Sequence, residues 1–262
     1  MNRILFEKSE IVDGRAEFSG ERAEHVLNVL HGQVGQTLKT GELDGLVGTS
    51  AIEEIRDLHV REEGSVQRGS GLLAGTVVVR CNHVESPPQP WFDLVLAPPR
   101  PRVLKRLLPQ LAAMGVGRIV LTGARKTEKS FWGAQLLKPE VQRPLLIEGL
   151  MQGGGSRVPE IRTERNFRHY VGSRMSEEFA ESVKIVAHPY AAGASDSRFG
   201  LFDGKYRDCR PVLAIGPEGG WTEEEVALLE RAGFLRHSLG PWILRTDTAT
   251  VAAIAQLMTV FV

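Results

Sequence analysis

Glu218, Arg245 and Asp247 lie within 30 residues of one another, in or just after two glycine loops, Gly216-Pro217-Glu218-Gly219-Gly220 and Gly240-Pro241-Trp242. A guanidinium can stabilise a developing anion, and a carboxylate can take a proton or hold a cation. The glycines imply a backbone that takes positive φ or lets a ligand approach closely. One such loop alone reads as an ordinary strand-to-helix turn. Two related loops carrying these charges point to a ligand site. The first is not a P-loop, since no G-x-x-x-x-G-K-[ST] is present, and Pro217 and Glu218 break the G-x-G-x-x-G spacing of a dinucleotide site. A carboxylate at Glu218 repels a pyrophosphate and suits a cationic or neutral ligand.

The elements that must position these residues are legible around them. The apolar run 212–215 has the length and bulk of a buried parallel strand. Thr222 and Glu225 have capping-box spacing, followed by Val226, Leu228, Leu229 and Ala232 at helical intervals, with Gly233 as the stop. Residues 234–239 read as a second short strand, and an apolar helix starts at about Thr248. Two strand ends with glycine loops thus meet two helix starts, which is where open α/β sheets bind ligands.

The stretch IGPEGGWTEEEV followed by LGPWILRTDTA resembles the C-terminal signature of the ribosomal RNA small subunit methyltransferase E (RsmE) family, of the SPOUT class. Weaker similarity occurs at Ala113-Met114-Gly115-Val116, Glu128-Lys129-Ser130-Phe131-Trp132, Gln152, Arg157-Val158-Pro159-Glu160-Ile161 and Ala187-His188-Pro189. The resemblance implies an α/β fold: a C-terminal SPOUT-type parallel sheet with a trefoil knot, preceded by a small PUA-like β-barrel that helps hold RNA. It implies S-adenosyl-L-methionine as cofactor, held by His188, Pro189, Ile215, Gly216, Pro217, Gly219, Gly220, Leu239, Gly240, Ile243 and Leu244. The acceptor it implies is N3 of a uridine in 16S ribosomal RNA, with ribosomal RNA or the small ribosomal subunit as partner. N3 carries a proton at neutral pH, so a base or an anion-stabilising charge is needed. Arg245 is the donor to a uridine carbonyl oxygen; Asp247 or Glu218 takes the proton, or caps the neighbouring helix instead. Residue spacing alone does not separate base from ribose 2'-O methylation, or an enzyme from an RNA-binding protein that keeps the fold. The chain departs from the family at His31, Gly155 and Trp242, where arginines are common, and at Asp247, where glutamate is. A homodimer through the almost wholly apolar C-terminal helix is expected, as is usual in the class.

Apolar residues make up 42% and charged residues 24% of the 262, values of a water-soluble globular chain. No run approaches a membrane helix, and MNRILFEKSE lacks the apolar core of a signal peptide, so a cytoplasmic protein is expected. Cys81 and Cys209 are too few for a disulfide framework or a zinc site, and no metal is expected. Net charge is zero but uneven: residues 1–89 hold nine Lys/Arg against fourteen Asp/Glu, whereas 100–143 hold ten against two. Arg100, Arg102, Lys105, Arg106, Arg125, Lys126 and Lys129 in that stretch are candidates for phosphate contact.

Residues 1–85 read as a small barrel of short strands at 4–6, 16–18, 37–39, 45–51, 55–60 and 76–79. One helix interrupts them at 21–30, with Val26, Leu27, Val29 and Leu30 on its apolar side. Pro87, Pro88 and Pro90 make 86–90 a linker. Residues 91–262 then alternate strand and helix, the pattern of a parallel sheet with crossovers. Strands are expected at 92–96, 118–122 and 183–187, and helices at 102–114 and 138–151. Residues 191–200 read as a mobile loop.

Overall fold

Apolar strands that alternate with amphipathic helices can bury both faces only by stacking in parallel between helix layers. The computed structural model describes residues 2–61, 72–189 and 209–262. The loop expected over 191–200 lies outside them. The chain divides into two compact units, one of residues 1–88 and 150–158, the other of 89–149 and 159–262.

The first unit is a six-stranded sheet. Its strands are β1 (Ile4–Phe6), β2 (Ile11–Val12), β3 (Arg15–Phe18), β4 (Thr37–Glu42), β5 (Val47–Arg61) and β6 (Leu72–Glu85), in the order β1-β4-β5-β6-β3-β2. The β1–β4 pair is parallel and the other pairs are antiparallel. Phe6, Phe18, Val26, Leu38, Ile52, Val77 and Val79 form its core.

Two expectations are corrected here. The separate strands at 45–51 and 55–60 are one long strand, β5, with register shifts at Ile52/Glu54 and Arg56/His59. Between the two expected strands, Glu53 accepts hydrogen bonds from Arg15 and Arg80, so the polar pair Glu53-Glu54 does not interrupt the strand. The helix α1 (Glu21–Glu24) widens into a π turn at His25–Val29. That turn changes the helical phase, so Val26 and Leu27 are buried while Val29 and Leu30 are exposed.

The second unit has six strands. They are β7 (Phe92–Leu96), β8 (Val116–Thr122), β9 (Glu160–Glu164), β10 (Val183–Ala187), β11 (Pro211–Ile215) and β12 (Leu235–His237). Their order is β12-β10-β11-β7-β8-β9 and every pair is parallel. Helices α2 (Pro101–Ala113), α3 (Pro139–Gly153), α4 (Phe167–Tyr170), α5 (Ser176–Glu178), α6 (Glu223–Arg231) and α7 (Thr246–Phe261) accompany the strands; α3 ends in residues that belong to the first unit. In α2 the stripe Val103, Leu104, Leu107, Leu108 and Leu111 is buried, and Gly115, at φ +85°, ends the turn after it. In α7, Thr250, Ala253, Ile254 and Leu257 face the core, whereas Met258 and, just past the helix end, Val262 are exposed. Among the described residues no helix is long and apolar enough to cross a membrane.

Candidate active site

Strands β12, β10 and β11 are neighbours, and their C-terminal ends point the same way. The loops leaving these ends enclose a cavity of about 260 Å³. From the loop after β10 come His188 and Pro189; from β11 and its loop come Ile215, Gly216, Pro217, Glu218, Gly219 and Gly220; from the loop after β12 come Leu239, Gly240, Ile243 and Leu244. Thus all the residues read as cofactor-binding surround one space, which lies at the strand ends where α/β sheets bind ligands. Lys126, Ala187, Trp221, Ser238, Trp242, Thr246 and Ala249 line it as well.

The glycines serve different purposes. Gly220 has φ +68° and Gly240 φ +119°, conformations that L-residues with a Cβ rarely take. At Gly216 a Cβ would sit 2.8 Å from the backbone nitrogen of Trp221, so the loop doubles back on itself there. Gly219 needs no positive φ; an added Cβ would meet only the Lys126 side chain, whose Nζ donates to the Gly219 carbonyl at 2.8 Å. The loop is closed on its far side by the capping box of α6. Glu225 N–H donates to Thr222 Oγ1 at 3.3 Å, and Thr222 N–H to Glu225 Oε2 at 2.8 Å. Glu225 Oε1 also accepts from Arg125 N–H at 2.7 Å, which ties the 125–127 loop to the same helix start.

Trp221 is the largest buried side chain, stacked on Phe167 with ring centroids 5.2 Å apart. Its buried indole N–H has no hydrogen-bond partner among the described residues, a cost that a ligand acceptor would relieve. His188 Nε2 lies 3.0 Å from Glu223 Oε1, and Arg236 donates to the other Glu223 oxygen at 3.0 Å. The hydrogen bond from His188 and then that from Arg236 hold the Glu223 carboxyl below its ordinary range. Backbone N–H of His188 donates to the His237 carbonyl at 3.0 Å, joining the loops after β10 and β12.

Glu218, Arg245 and Asp247 are placed differently. Glu218 lines the cavity, and its Oε1 accepts from Arg100 N–H at 2.8 Å. Asp247, in the first turn of α7, accepts from Thr248 N–H and pairs with Arg106 at 3.1 Å. Arg245 stands at the N-cap of α7 with its side chain 72% exposed; its Nε is 3.6 Å from Asp247, and it does not line the cavity. Trp242 and Ile243, on the preceding loop, are 81% and 92% exposed. Arg100, Arg102, Lys105, Arg106, Arg125 and Lys129 are exposed, in keeping with a surface role, but Lys126 also lines the cavity and Arg106 is engaged by Asp247. Trp221 escapes sequence reasoning because an aromatic after a glycine loop reads as packing. Among the described residues no His, Cys, Asp or Glu cluster could hold a metal ion.

Residues 86–258 match the RNA methyltransferase domain family. The chain is 29% identical over 98% of its length to ribosomal RNA small subunit methyltransferase E of Treponema pallidum, covering 91% of that protein. Its fold is shared with the ribosomal RNA small subunit methyltransferase E of Neisseria gonorrhoeae solved bound to S-adenosyl methionine (TM-score 0.64, 22% identity, 100% of this chain and 98% of that one). A Legionella pneumophila protein described as a methyltransferase, solved with the cofactor SAM, has the same fold (TM-score 0.68, 24% identity, 98% and 97% of the two chains). With its two loop motifs gathered on one cavity, the chain belongs to the RNA methyltransferase domain family and is similar over nearly its whole length to ribosomal RNA small subunit methyltransferase E.

Proposed function

We propose that the protein transfers the methyl group of S-adenosyl-L-methionine to N3 of a uridine in 16S ribosomal RNA of the small subunit. The observation that carries this reading is the single cavity at three adjacent strand ends, walled by both family motifs. The relative from Treponema pallidum is named for this class of substrate, and the Neisseria gonorrhoeae structure holds S-adenosyl methionine.

The residues present suit that cofactor. Gly216 lets the loop fold so tightly that a side chain would collide with backbone, and Ile215, Leu239, Ile243 and Leu244 supply apolar walls. The unpaired Trp221 indole N–H offers a donor, and Glu218 a negative charge, beside a ligand that is cationic at sulfur. When bound, the cofactor supplies an electrophilic methyl group on a sulfonium. The chain's own task is to hold it, exclude water and align the uridine nitrogen. Main-chain groups of the three loops hold the adenine. Arg245, exposed beside the cavity, donates to a uridine carbonyl oxygen and stabilises the anion formed as N3 loses its proton. Glu218 takes that proton, while Asp247 complements the N-terminus of α7 and holds Arg106.

The finer architecture belongs to the same proposal. Residues 1–85 form a PUA-like barrel that binds RNA, 86–90 a linker and 91–262 the SPOUT domain, with its C-terminal loops threaded as a trefoil knot. Arg100, Arg102, Lys105, Arg106, Arg125, Lys126 and Lys129 contribute phosphate contacts. Two copies pair through α7, whose exposed Met258 needs cover together with Val262 just past the helix end, and the protein works in the cytoplasm. A monodisperse monomer at micromolar concentration in light scattering would remove the dimer from this account. The function itself is tested by incubating the protein and labelled cofactor with small ribosomal subunits from a strain lacking the modification. Mass identification of 3-methyluridine is expected; a ribose-methylated nucleoside would move the reaction to the 2'-oxygen, and cofactor binding without transfer would leave an RNA-binding protein.

A further inference from the structure

A second cavity, of about 650 Å³, opens at the C-terminal ends of β8 and β9, on the same edge of the parallel sheet. It adjoins the first through alternate residues of shared segments. Lys126 lines the first cavity and Arg125 and Thr127 the second; Trp221 lines the first and Thr222 the second. Its distinctive feature is a paired planar surface. The Arg165 guanidinium carbon lies 5.5 Å from the centroid of the Trp132 ring, and the same guanidinium donates to the Trp132 carbonyl at 3.2 Å. The backbone is shaped for this: a Cβ on Gly123 would lie 2.1 Å from the Arg165 carbonyl oxygen, so only glycine permits the two strand ends to approach there.

Arg125, Lys129 and Arg168 line the same cavity. The opposing carboxylates do little to neutralise it. Glu225 is committed to Thr222 and the Arg125 backbone. Glu224 bridges Arg125 and Arg168 at 3.6 and 3.1 Å in an exposed position, where an ion pair is weak and readily exchanged for a phosphate. An aromatic and a guanidinium plane ringed by cations is the chemistry that receives unstacked bases and their phosphates. Such a receiver is needed here: a base that enters an enclosed site leaves its stack, and its neighbour loses a stacking partner.

We infer that this second cavity binds the nucleotide next to the one that is methylated, stacking its base on the Trp132–Arg165 pair and meeting its phosphates with Arg125, Lys129 and Arg168. The inference rests on the methyltransferase reading and extends it to residues outside the basic stretch, Arg165 and Arg168.

The test is fluorescence anisotropy with a labelled twelve-nucleotide single-stranded RNA carrying a central uridine, without cofactor, and separate calorimetry with S-adenosylmethionine. Trp132→Ala and Arg165→Ala should each weaken RNA binding about 5- to 100-fold, the range for one missing stacking partner, and Trp132→Phe should recover most of it. Lys129→Ala and Arg168→Ala should each flatten the salt dependence, by about 0.7 in the log–log slope for each phosphate no longer neutralised. Cofactor affinity should be unchanged in all five variants. Arg165 is exposed, so its variant remains informative if the Trp132 variant fails to fold. Wild-type RNA affinity in both alanine variants, or a wild-type protein that does not bind the RNA, overturns the inference. If RNA binding depends on Trp132 and Arg165 but no cofactor binds, the RNA pocket stands and the methyl-transfer reading falls. Cofactor binding and methyl transfer with RNA affinity indifferent to both residues gives the reverse.

Discussion

Two arginine clusters in the parallel unit are built from the same residue types and do opposite things. At the end of β9, Arg165 and Arg168, with Arg125, face an open cavity, and among the described residues only the exposed Glu224 pairs with Arg125 and Arg168. Elsewhere in the same unit, Arg118 and Arg162 converge on Glu178. The Oε1 of Glu178 accepts from Arg118 at 2.7 Å and from Arg162, while its Oε2 accepts from the Tyr170 hydroxyl at 3.0 Å. Glu178 is 13% exposed, and burial lifts the Tyr170 hydroxyl to about 12, so it stays a donor at any physiological pH. Paired and desolvated, the second cluster can only hold the fold together. Partly unpaired and wet, the first retains charge for a ligand. Pairing and burial, not residue type, separate a structural arginine from one free to act.

That contrast is best broken at the C-terminal edge of the parallel sheet, where variants should change binding or rate more than stability. Gly220→Val should produce the largest effect, a loss of S-adenosylmethionine affinity of at least about 10-fold in calorimetry, because a β-branched residue at φ +68° costs about 1–2 kcal/mol or more and reshapes the loop. The same change at Gly219, whose φ is not positive and where only the flexible Lys126 chain is met, should be milder. Equal losses at the two positions would mean that the cavity wall, not backbone conformation, sets affinity.

Arg245→Ala should slow methyl transfer about 10²–10³-fold with cofactor affinity and melting temperature little changed, the size of one missing charge-stabilising donor. Arg245→Lys should recover only part, since an ammonium lacks the planar fork. A parallel fall in stability and affinity would make the 3.6 Å approach to Asp247 the residue's whole role.

The buried cluster should show the reverse pattern. Glu178→Gln leaves Arg118 and Arg162 with a neutral amide and only the exposed Glu160, at 3.4 and 3.3 Å, as a charged partner, so about 2–4 kcal/mol of stability should go, lowering the melting temperature by about 5–15 °C while leaving cofactor affinity intact. Loss of cofactor binding at constant melting temperature would erase the distinction between the clusters.

The smallest effect is expected at Glu223, an exposed acid bonded by His188 and Arg236. Its carboxyl is held below the ordinary value of 4.5, so its contribution to stability is present above that value and lost as pH falls through the folded one. Glu223→Gln should lower the melting temperature by under about 3 °C at pH 7 and not at all at strongly acid pH. A deficit that persists in acid would trace to packing instead of charge.

Much of this molecule is local in origin. The α2 stripe, the Thr222–Glu225 box, the stops at Gly115 and Gly233, the wholly apolar β11, and β7, apolar apart from Asp93, follow from periodicity and capping, which neighbouring residues decide alone. The glycine loops and their family motifs likewise mark the cavity from sequence, because close approach demands glycine wherever the chain is placed. What sequence order cannot contain is which distant segments meet. Strand β10 lies between β11 and β12, and only that order gathers the loops after residues 187, 215 and 237. Segment 150–158 belongs to the first unit, although 89–149 before it and 159–262 after it form the second. Lys126 reads as one more surface cation until the fold turns it onto Gly219, and Trp221 reads as core until its indole N–H proves unpaired beside a cavity. Arg118 and Arg165 are indistinguishable in composition. Burial against Glu178 and exposure beside Trp132 are properties of the packed chain, and those surroundings set what each guanidinium can do.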